Sequence, residues 1–258
     1  MKKNVLSRPK LPAAPAAAAL SLLLVLAACT GDGPAEGDTV TVNGDVPVAY
    51  AMRSTAVGLN PTDGTNFAPG GDLMLREKSS ASAVEHNLTA RITQGRGDVS
   101  DPEVSYDGRK IVFSMRCPAS NTATVDNGAG PVPACTGRWN LWEYDSAGAA
   151  SLAGGRFRRL THSTSDDDVD PVYLPAGRGV IFASNRQAKS RQNQALGRAY
   201  FAADEYERER VLNLHTMAAD GSGVEQISFN MSHERNPVVR PNGDIMFARW
   251  EHVADRNR

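Results

Sequence analysis

Asp98-Val99-Ser100-Asp101-Pro102-Glu103-Val104-Ser105-Tyr106-Asp107-Gly108-Arg109-Lys110-Ile111-Val112-Phe113-Ser114 sets a pattern that returns twice. It comes back as Asp168-Val169-Asp170-Pro171-Val172-Tyr173-Leu174-Pro175-Ala176-Gly177-Arg178-Gly179-Val180-Ile181-Phe182-Ala183-Ser184, and again as Glu234-Arg235-Asn236-Pro237-Val238-Val239-Arg240-Pro241-Asn242-Gly243-Asp244-Ile245-Met246-Phe247-Ala248. Each copy gives a polar lead-in, a proline, a short strand, a glycine turn and an apolar strand that reaches a phenylalanine. Proline suits the first residue of a strand, where no ladder donor is needed. Asp107-Gly108 and Asn242-Gly243 read as hairpin turns, because glycine takes the positive φ such turns require. Ile111 with Phe113, and Val180 with Phe182, put apolar side chains on one face at period two.

Working outward, each unit continues into two more strands. Trp139 to Asp145 and Arg158 to Thr161 extend the first. Leu212 to Met217 and Glu225 to Ser228 extend the second, around the turn Asp220-Gly221-Ser222-Gly223. Four short antiparallel strands per repeat describe a propeller blade, so the fold class is all-β, a β-propeller of four-stranded antiparallel blades. A degenerate unit precedes them in Val46 to Met52, Asp72 to Leu75 and His86 to Thr93. The chain thus holds about three blades and begins a fourth before Arg258, an incomplete propeller expected to be a fragment, a truncated product or half of an assembly.

Pro102, Pro171 and Pro237 lie 69 and 66 residues apart, whereas blades usually take roughly 40 to 50 residues. Two insertions account for the excess. One lies between Cys117 and Cys135. The other runs from Gln187 to Arg210, where Asp204 to Arg210 reads as a short exposed helix or a charged hairpin extension.

The first residues carry a different message. Lys2, Lys3, Arg8 and Lys10 form a positive start, followed by an apolar run from Ala13 to Ala28. This run is shorter than the roughly 20 residues a spanning helix needs, and fits an export signal. It ends in Leu26-Ala27-Ala28-Cys29, which resembles a bacterial lipobox. That resemblance implies acylation of Cys29 and cleavage before it. Each buried acyl CH₂ adds about 0.8 kcal/mol of membrane affinity. Thr30 after the cysteine, in place of aspartate, implies the outer membrane. Residues 29–44 are small, polar and glycine-rich, a flexible tether. The expected organisation is a signal peptide over 1–28, lipidated Cys29 with its tether over 29–44, and the partial propeller over 45–258.

Cys117 and Cys135 remain. Outside the cytoplasm an even pair is most simply a disulfide, and closing a loop of this size removes about 3 kcal/mol of unfolded-state entropy. The segment between them has no hydrophobic period and no visible core of its own. A zinc site is the competitor, but neither cysteine has a Cys-x-x-Cys partner or a histidine at finger spacing.

Chemistry-bearing motifs are sparse. A net charge of −1 and pI near 6.5 give no footprint for nucleic acid. The sequence contains no Gly-x-Ser-x-Gly elbow, no His-Glu-x-x-His and no phosphate loop. No catalytic, cofactor-binding or metal residue is therefore assigned. His86, His162, His215, His233 and His252 are scattered; His162, His233 and His252 could meet at one propeller mouth, against the simpler reading of ordinary polar surface residues. Asp166, Asp167, Asp168 and Asp170 form the densest carboxylate cluster. It is read as a loop capping backbone N–H groups, with Ca²⁺ as the alternative. Trp139, Trp142 and Trp250 are expected to pack between blades.

The Asp-x-x-Pro, Asp-Gly-Arg-Lys and Ile-Val-Phe-Ser elements resemble the propeller repeats of TolB and its relatives over most of residues 45–250. Ile227 to Pro237, Ile245 to His252 and Asp204 to Arg208 are more specifically similar to the middle propeller domain of the hydrazine synthase alpha subunit and its lipoprotein relatives. In that family the propeller sits beside haem-bearing segments. This sequence has no Cys-x-x-Cys-His, so the resemblance implies the scaffold without haem chemistry, and no cofactor is expected. The functional expectation is a lipid-anchored, periplasm-facing scaffold that binds a protein partner. The alternative is a component of a haem-dependent redox complex whose haem resides on a missing segment or another chain.

Overall fold

The period-two runs become paired strands in the computed structural model, which describes residues 45–56, 65–126, 130–197 and 210–250. These lie in the compact unit Gly44–Arg258. The first sheet has the order β1 (Val48–Met52), β2 (Asp72–Arg76), β3 (Glu85–Asn87), and is followed by one helical turn, α1 (Ala90–Thr93). The second contains β4 (Asp98–Val104) and β5 (Lys110–Arg116). Next in the chain is a small hairpin, β6 (Thr124–Asp126) with β7 (Pro131–Pro133), before β8 (Trp139–Asp145) and β9 (Arg156–Arg159) complete the order β4-β5-β8-β9. The third comprises β10 (Asp168–Tyr173), β11 (Val180–Ser184), β12 (Asn213–Met217) and β13 (Glu225–Gln226), with helix α2 (Ala188–Ala195) between β11 and β12. A two-stranded sheet, β14 (Glu234–Val239) with β15 (Ile245–Arg249), follows. All pairings are antiparallel. No helix among the described residues is long and apolar enough to cross a membrane.

The registers show that the repeat is structural as well as textual. In β4/β5 the pairing jumps from Ser100–Ser114 to Glu103–Val112, so Asp101 and Pro102 together face Phe113. In β10/β11, Asp170 and Pro171 face Phe182 in the same way, and in β14/β15 Asn236 and Pro237 face Phe247. Two residues opposite one is a β-bulge. The prolines therefore sit inside their strands, not at the first residue as the sequence suggested. The bulge removes the need for the ladder donor that proline lacks.

A second device closes each sheet. The Thr89 hydroxyl accepts from Leu73 N at 2.9 Å, the Thr161 hydroxyl from Leu141 N at 2.9 Å, and the Ser228 hydroxyl from Leu214 N at 2.8 Å. The preceding residues, Leu88, Leu160 and Ile227, each donate N–H to the carbonyl of the same leucine. Leu73, Leu141 and Leu214 are thus equivalent, which aligns β2 with β8 and β12, and β1 with β5 and β11. The first sheet corresponds to the second, third and fourth strands of its neighbours. Packing agrees with this alignment: β1 lies against β4, β5 against β10, and β11 against β14.

Three apolar clusters fill the spaces between these sheets. The largest joins Leu73, Leu75 and Ile92 to Phe113, Met115, Trp142 and Tyr144. Val112, Leu141, Leu160, Val180, Phe182 and Met217 form another. Trp139, Val169, Ile181, Ala183, Leu212 and Leu214 form the last, with Phe247 packed on its edge. Burying a side chain such as Phe113 or Phe182 contributes about 1.5–3 kcal/mol.

Two expectations change. His86 to Thr93 is not continuous strand: it turns helical after Asn87, whose side-chain oxygen accepts from Thr89 N and Ala90 N. The Cys117–Cys135 disulfide forms, with Cα atoms 5.2 Å apart, yet its loop is not coreless. Val125 and Ala134 are buried in the largest cluster, and Asn121 donates to the carbonyls of Ile92 and Thr93, seating the loop on α1. The second insertion also contains α2 at Ala188–Ala195, which the sequence reading did not place. Asp204 to Glu209 lies outside the described residues, as do residues 1–44 with the signal, Cys29 and tether.

Candidate functional site

The residue before a proline is normally extended, and an L-residue rarely takes positive φ. Asp101, Asp170 and Asn236 do both unusual things at once, with φ of 54°, 54° and 50°. Asp and Asn are the non-glycine residues best suited to this left-handed conformation, which explains their recurrence before each bulge proline. Such backbone typically costs about 1–3 kcal/mol per residue and persists where surrounding contacts enforce it.

The three bulges meet in one place. A cavity of about 380 Å³ is lined by Asp101, Pro102, Asp170, Pro171, Asn236 and Pro237, together with side chains that follow them in β4, β10 and β14. Asp170 is buried and clamped by Arg235, whose Nε and Nη2 donate to its carboxylate at 2.5 and 3.0 Å; Asn236 N adds a third bond at 3.0 Å. Asp101 accepts from the Ser100 hydroxyl at 2.6 Å. Burial, then the charge of Asp170 beside it, pushes the Asp101 carboxyl up to about 6. Burial also works against an ionised Asp170, but the Arg235 guanidinium and the Asn236 N–H hold that group below the usual carboxylate range. One partner is thus fixed as an anion, and the other exchanges a proton near neutrality.

Around this polar floor the rim is apolar and accessible. Val104 is 49% exposed, Tyr106 69% and Val238 50%. The resulting funnel can hold a chain with apolar side chains against the rim and a hydrogen-bonding group at the carboxyl pair.

Buried carboxylates at the start of the inner strands serve packing. Arg53 binds Asp98 through two bonds, at 2.9 and 2.6 Å. Asp168 is held by Arg186 and the Ser184 hydroxyl, and Asp167 accepts from Trp139 N at 2.9 Å and from Arg138 at 3.1 Å. Asp166 takes Arg191, Arg210 and the Ser163 hydroxyl. Every member of the Asp166–Asp170 cluster is therefore met by an arginine, and Asp167 and Asp170 also accept backbone N–H groups of the kind predicted. Among the described residues no group of His, Cys, Asp and Glu could hold a metal ion.

Among the described residues each histidine meets its own local partner. His162 is exposed and accepts from Arg159 at 2.9 Å. His233 is buried, and its Nδ1 accepts from Leu212 N at 3.1 Å. His252 lies outside the described residues. His215 is fully buried, not superficial, and stacks on Phe182 at 5.7 Å. Desolvation lowers its pKa to about 4. Trp139 and Trp142 pack inside as expected, whereas Trp250 is 43% exposed. Sequence reading used the Asx–Pro positions to find strands and missed that they assemble a cavity. Their recurrence at one register position was the available signal.

No protein-family model matches this chain, and no curated protein does. Solved structures do. The chain is similar to hydrazine synthase from Kuenenia stuttgartiensis, with 16% identity and a TM-score of 0.50, across 80% of this chain and 28% of that one. It also aligns with TolB from Acinetobacter baumannii, at 13% identity and TM-score 0.38 over 69% of this chain and 31% of that one. A TolB structure from Agrobacterium tumefaciens gives 16% and 0.34 over 83% and 81%. The chain spans little more than a quarter of the hydrazine synthase chain it matches. These neighbours are β-propeller proteins, and the likeness to hydrazine synthase shows the fold alone: a mostly antiparallel β protein of the β-propeller kind.

Proposed function

We propose that this protein is a lipid-anchored, periplasm-facing β-propeller scaffold that binds a protein partner at its axial funnel. In this reading the signal over residues 1–28 directs export, acylated Cys29 anchors the chain in the outer membrane, the tether runs to residue 44, and residues 45–258 form an incomplete propeller of about three to four blades. One observation carries the binding role. Three equivalent Asx–Pro bulges converge on a cavity whose floor holds the carboxyls of Asp101 and Asp170 and whose rim is exposed and apolar. Exposed apolar groups around convergent polar ones mark binding surfaces more often than plain solvent-facing surface.

The test is recovery of a stoichiometric partner from detergent-solubilised envelope, using wild-type protein and the rim variants Val104→Asp and Val238→Asp. A partner retained by wild type and lost by both variants supports the reading. Equal recovery by all three, or no partner at all, refutes it. Cys29→Ser is expected to move the protein from the membrane fraction to the soluble one.

A further inference from the structure

Most edge strands in the described residues are guarded. The inner strands β4, β10 and β14 each carry a proline, a bulge and at least one charged residue. The outer strands are charged: Glu85 in β3, Arg156, Arg158 and Arg159 in β9, and Glu225 in β13. The edge strand β15 ends in Arg249. Such features keep open edges from pairing with other chains. β1, Val48-Ala49-Tyr50-Ala51-Met52, has neither charge, proline nor bulge, and among the described residues it is bonded on one side only, to β2. Val48 is 37% exposed and Met52 45%, while every residue of β11, the equivalent strand of the third sheet, is buried.

The register states what is missing. Leu73 directs both backbone groups at the β3 side, where its N–H meets Thr89 and its carbonyl meets Leu88. Alternation along an antiparallel ladder then turns Met74 toward Tyr50. It leaves the N–H and C=O of Ala49 and Ala51 pointing out of the open edge. Their counterparts in β5 are Val112 and Ser114, which pair with Glu103 and Ser100 of β4. Tyr50 stands where Phe113 stands, opposite the place of an Asx–Pro bulge. Among the described residues a second copy of this chain offers no ready-made strand for the gap, because the Asx–Pro strands there are already paired with β5, β11 and β15.

The geometry points to β1 as a strand-addition site for a partner polypeptide: an extended segment containing Asp-Pro or Asn-Pro pairs antiparallel with Ala49 and Ala51 and sets its proline opposite Tyr50. Such a strand would lie beside β4 as β4 lies beside β10, bringing a fourth Asx to the funnel. This rests on the scaffold reading only for the existence of a protein partner. Addition to a sheet edge gains affinity from main-chain bonds and specificity from alternate side chains.

The edge can be tested without the native partner, using the full chain in detergent and a synthetic peptide with the sequence of residues 97–106. The expected result is saturable binding with slowed amide exchange at Ala49 and Ala51. A peptide with the Asp–Pro order reversed should bind at least about tenfold more weakly. Ala51→Pro removes an outward donor while leaving the β2 ladder intact, and should abolish binding with an unchanged circular dichroism spectrum. Should that variant misfold, a peptide N-methylated at the positions facing Ala49 and Ala51 makes the same test, and its binding undiminished would overturn the proposal. So would no binding, protection confined to β15, or equal binding of the reversed peptide. Protection of Ala49 and Ala51 that rises with protein concentration alone would assign the edge to a second copy and overturn the partner assignment. A failed pull-down with a positive peptide result would break the scaffold reading and leave the edge site standing.

Discussion

β11 is buried along its whole length, and β5 is buried at all but its two end residues, whereas β1 and β15, at the same register positions, stand half in solvent. The sequences are not the cause: Ile-Met-Phe-Ala in β15 is as apolar as Val-Ile-Phe-Ala in β11. β5 and β11 have a strand on each side and another sheet on each face. Among the described residues β1 lacks an inner neighbour and β15 has no strand beyond it. The repeat therefore decides which side chain occupies a position, and the flanking sheets decide how much that position is worth.

Substitution of the aligned aromatics breaks this comparison most directly. Phe182→Ala should cost about 3–5 kcal/mol, and Phe113→Ala a similar amount. Tyr50→Ala, at a half-exposed site, should cost under about 1 kcal/mol in the same urea titration. Equal losses would mean that the three positions are energetically alike after all. Next come the two insertions, which leave their sheets at the same point, after β5 and after β11. Replacing Cys117 and Cys135 by serine should lose about 3 kcal/mol, with little dependence on salt. Arg210→Ala, which weakens the ionic seat of the other insertion on Asp166, should lose roughly 1 kcal/mol, and less at high ionic strength.

The two complete sheets also carry buried titrations of opposite sign. The folded Asp101 carboxyl, at about 6, stays protonated beyond its ordinary range, so its contribution is full below about pH 4 and is lost as pH rises through 6. His215, held near 4, contributes fully above about pH 6.5 and loses that contribution as pH falls toward 4. Partial desolvation raises Glu103, which adds to the first slope, and with the charge of Arg159 lowers His162, which adds to the second. Each principal group is worth about 2–3 kcal/mol across the window. Wild-type stability should be nearly flat from pH 4 to 6.5, rise with pH in Asp101→Asn, and fall with pH in His215→Gln. Chemical denaturation across that range reads both signs. The closing hydroxyls should give smaller effects than the buried aromatics: Thr161→Val should cost about 1 kcal/mol. Thr89→Val should cost nearer 2, because Thr89 also donates to buried Asp72 at 2.8 Å.

Much of this was legible beforehand. β8 spans Trp139–Asp145 as the sequence indicated, the aromatic at the end of each repeat occupies equivalent registers, and Cys117 pairs with Cys135. What could not be read are features that depend on strands distant in sequence. Asp101 and Asp170 become a carboxyl pair only once β4 and β10 lie side by side. His215 looks like any strand histidine until Phe182 stacks on it. Trp250 resembles Trp142 as a residue but lacks the surrounding sheet. The helical turn after Asn87 was hidden because the same Leu–Thr pair that ends a strand elsewhere here leads into a turn capped by the Asn87 side chain.

The hydroxyl that locks Leu73, Leu141 or Leu214 comes in each case from the same sheet it secures. A repeat of this design brings its own fastening along with it, so copying or deleting one whole unit leaves the fastenings of its neighbours untouched. Growth in such a lineage can proceed by duplication of entire cassettes, with new loops tolerated at a junction, between second and third strands, that no fastening crosses.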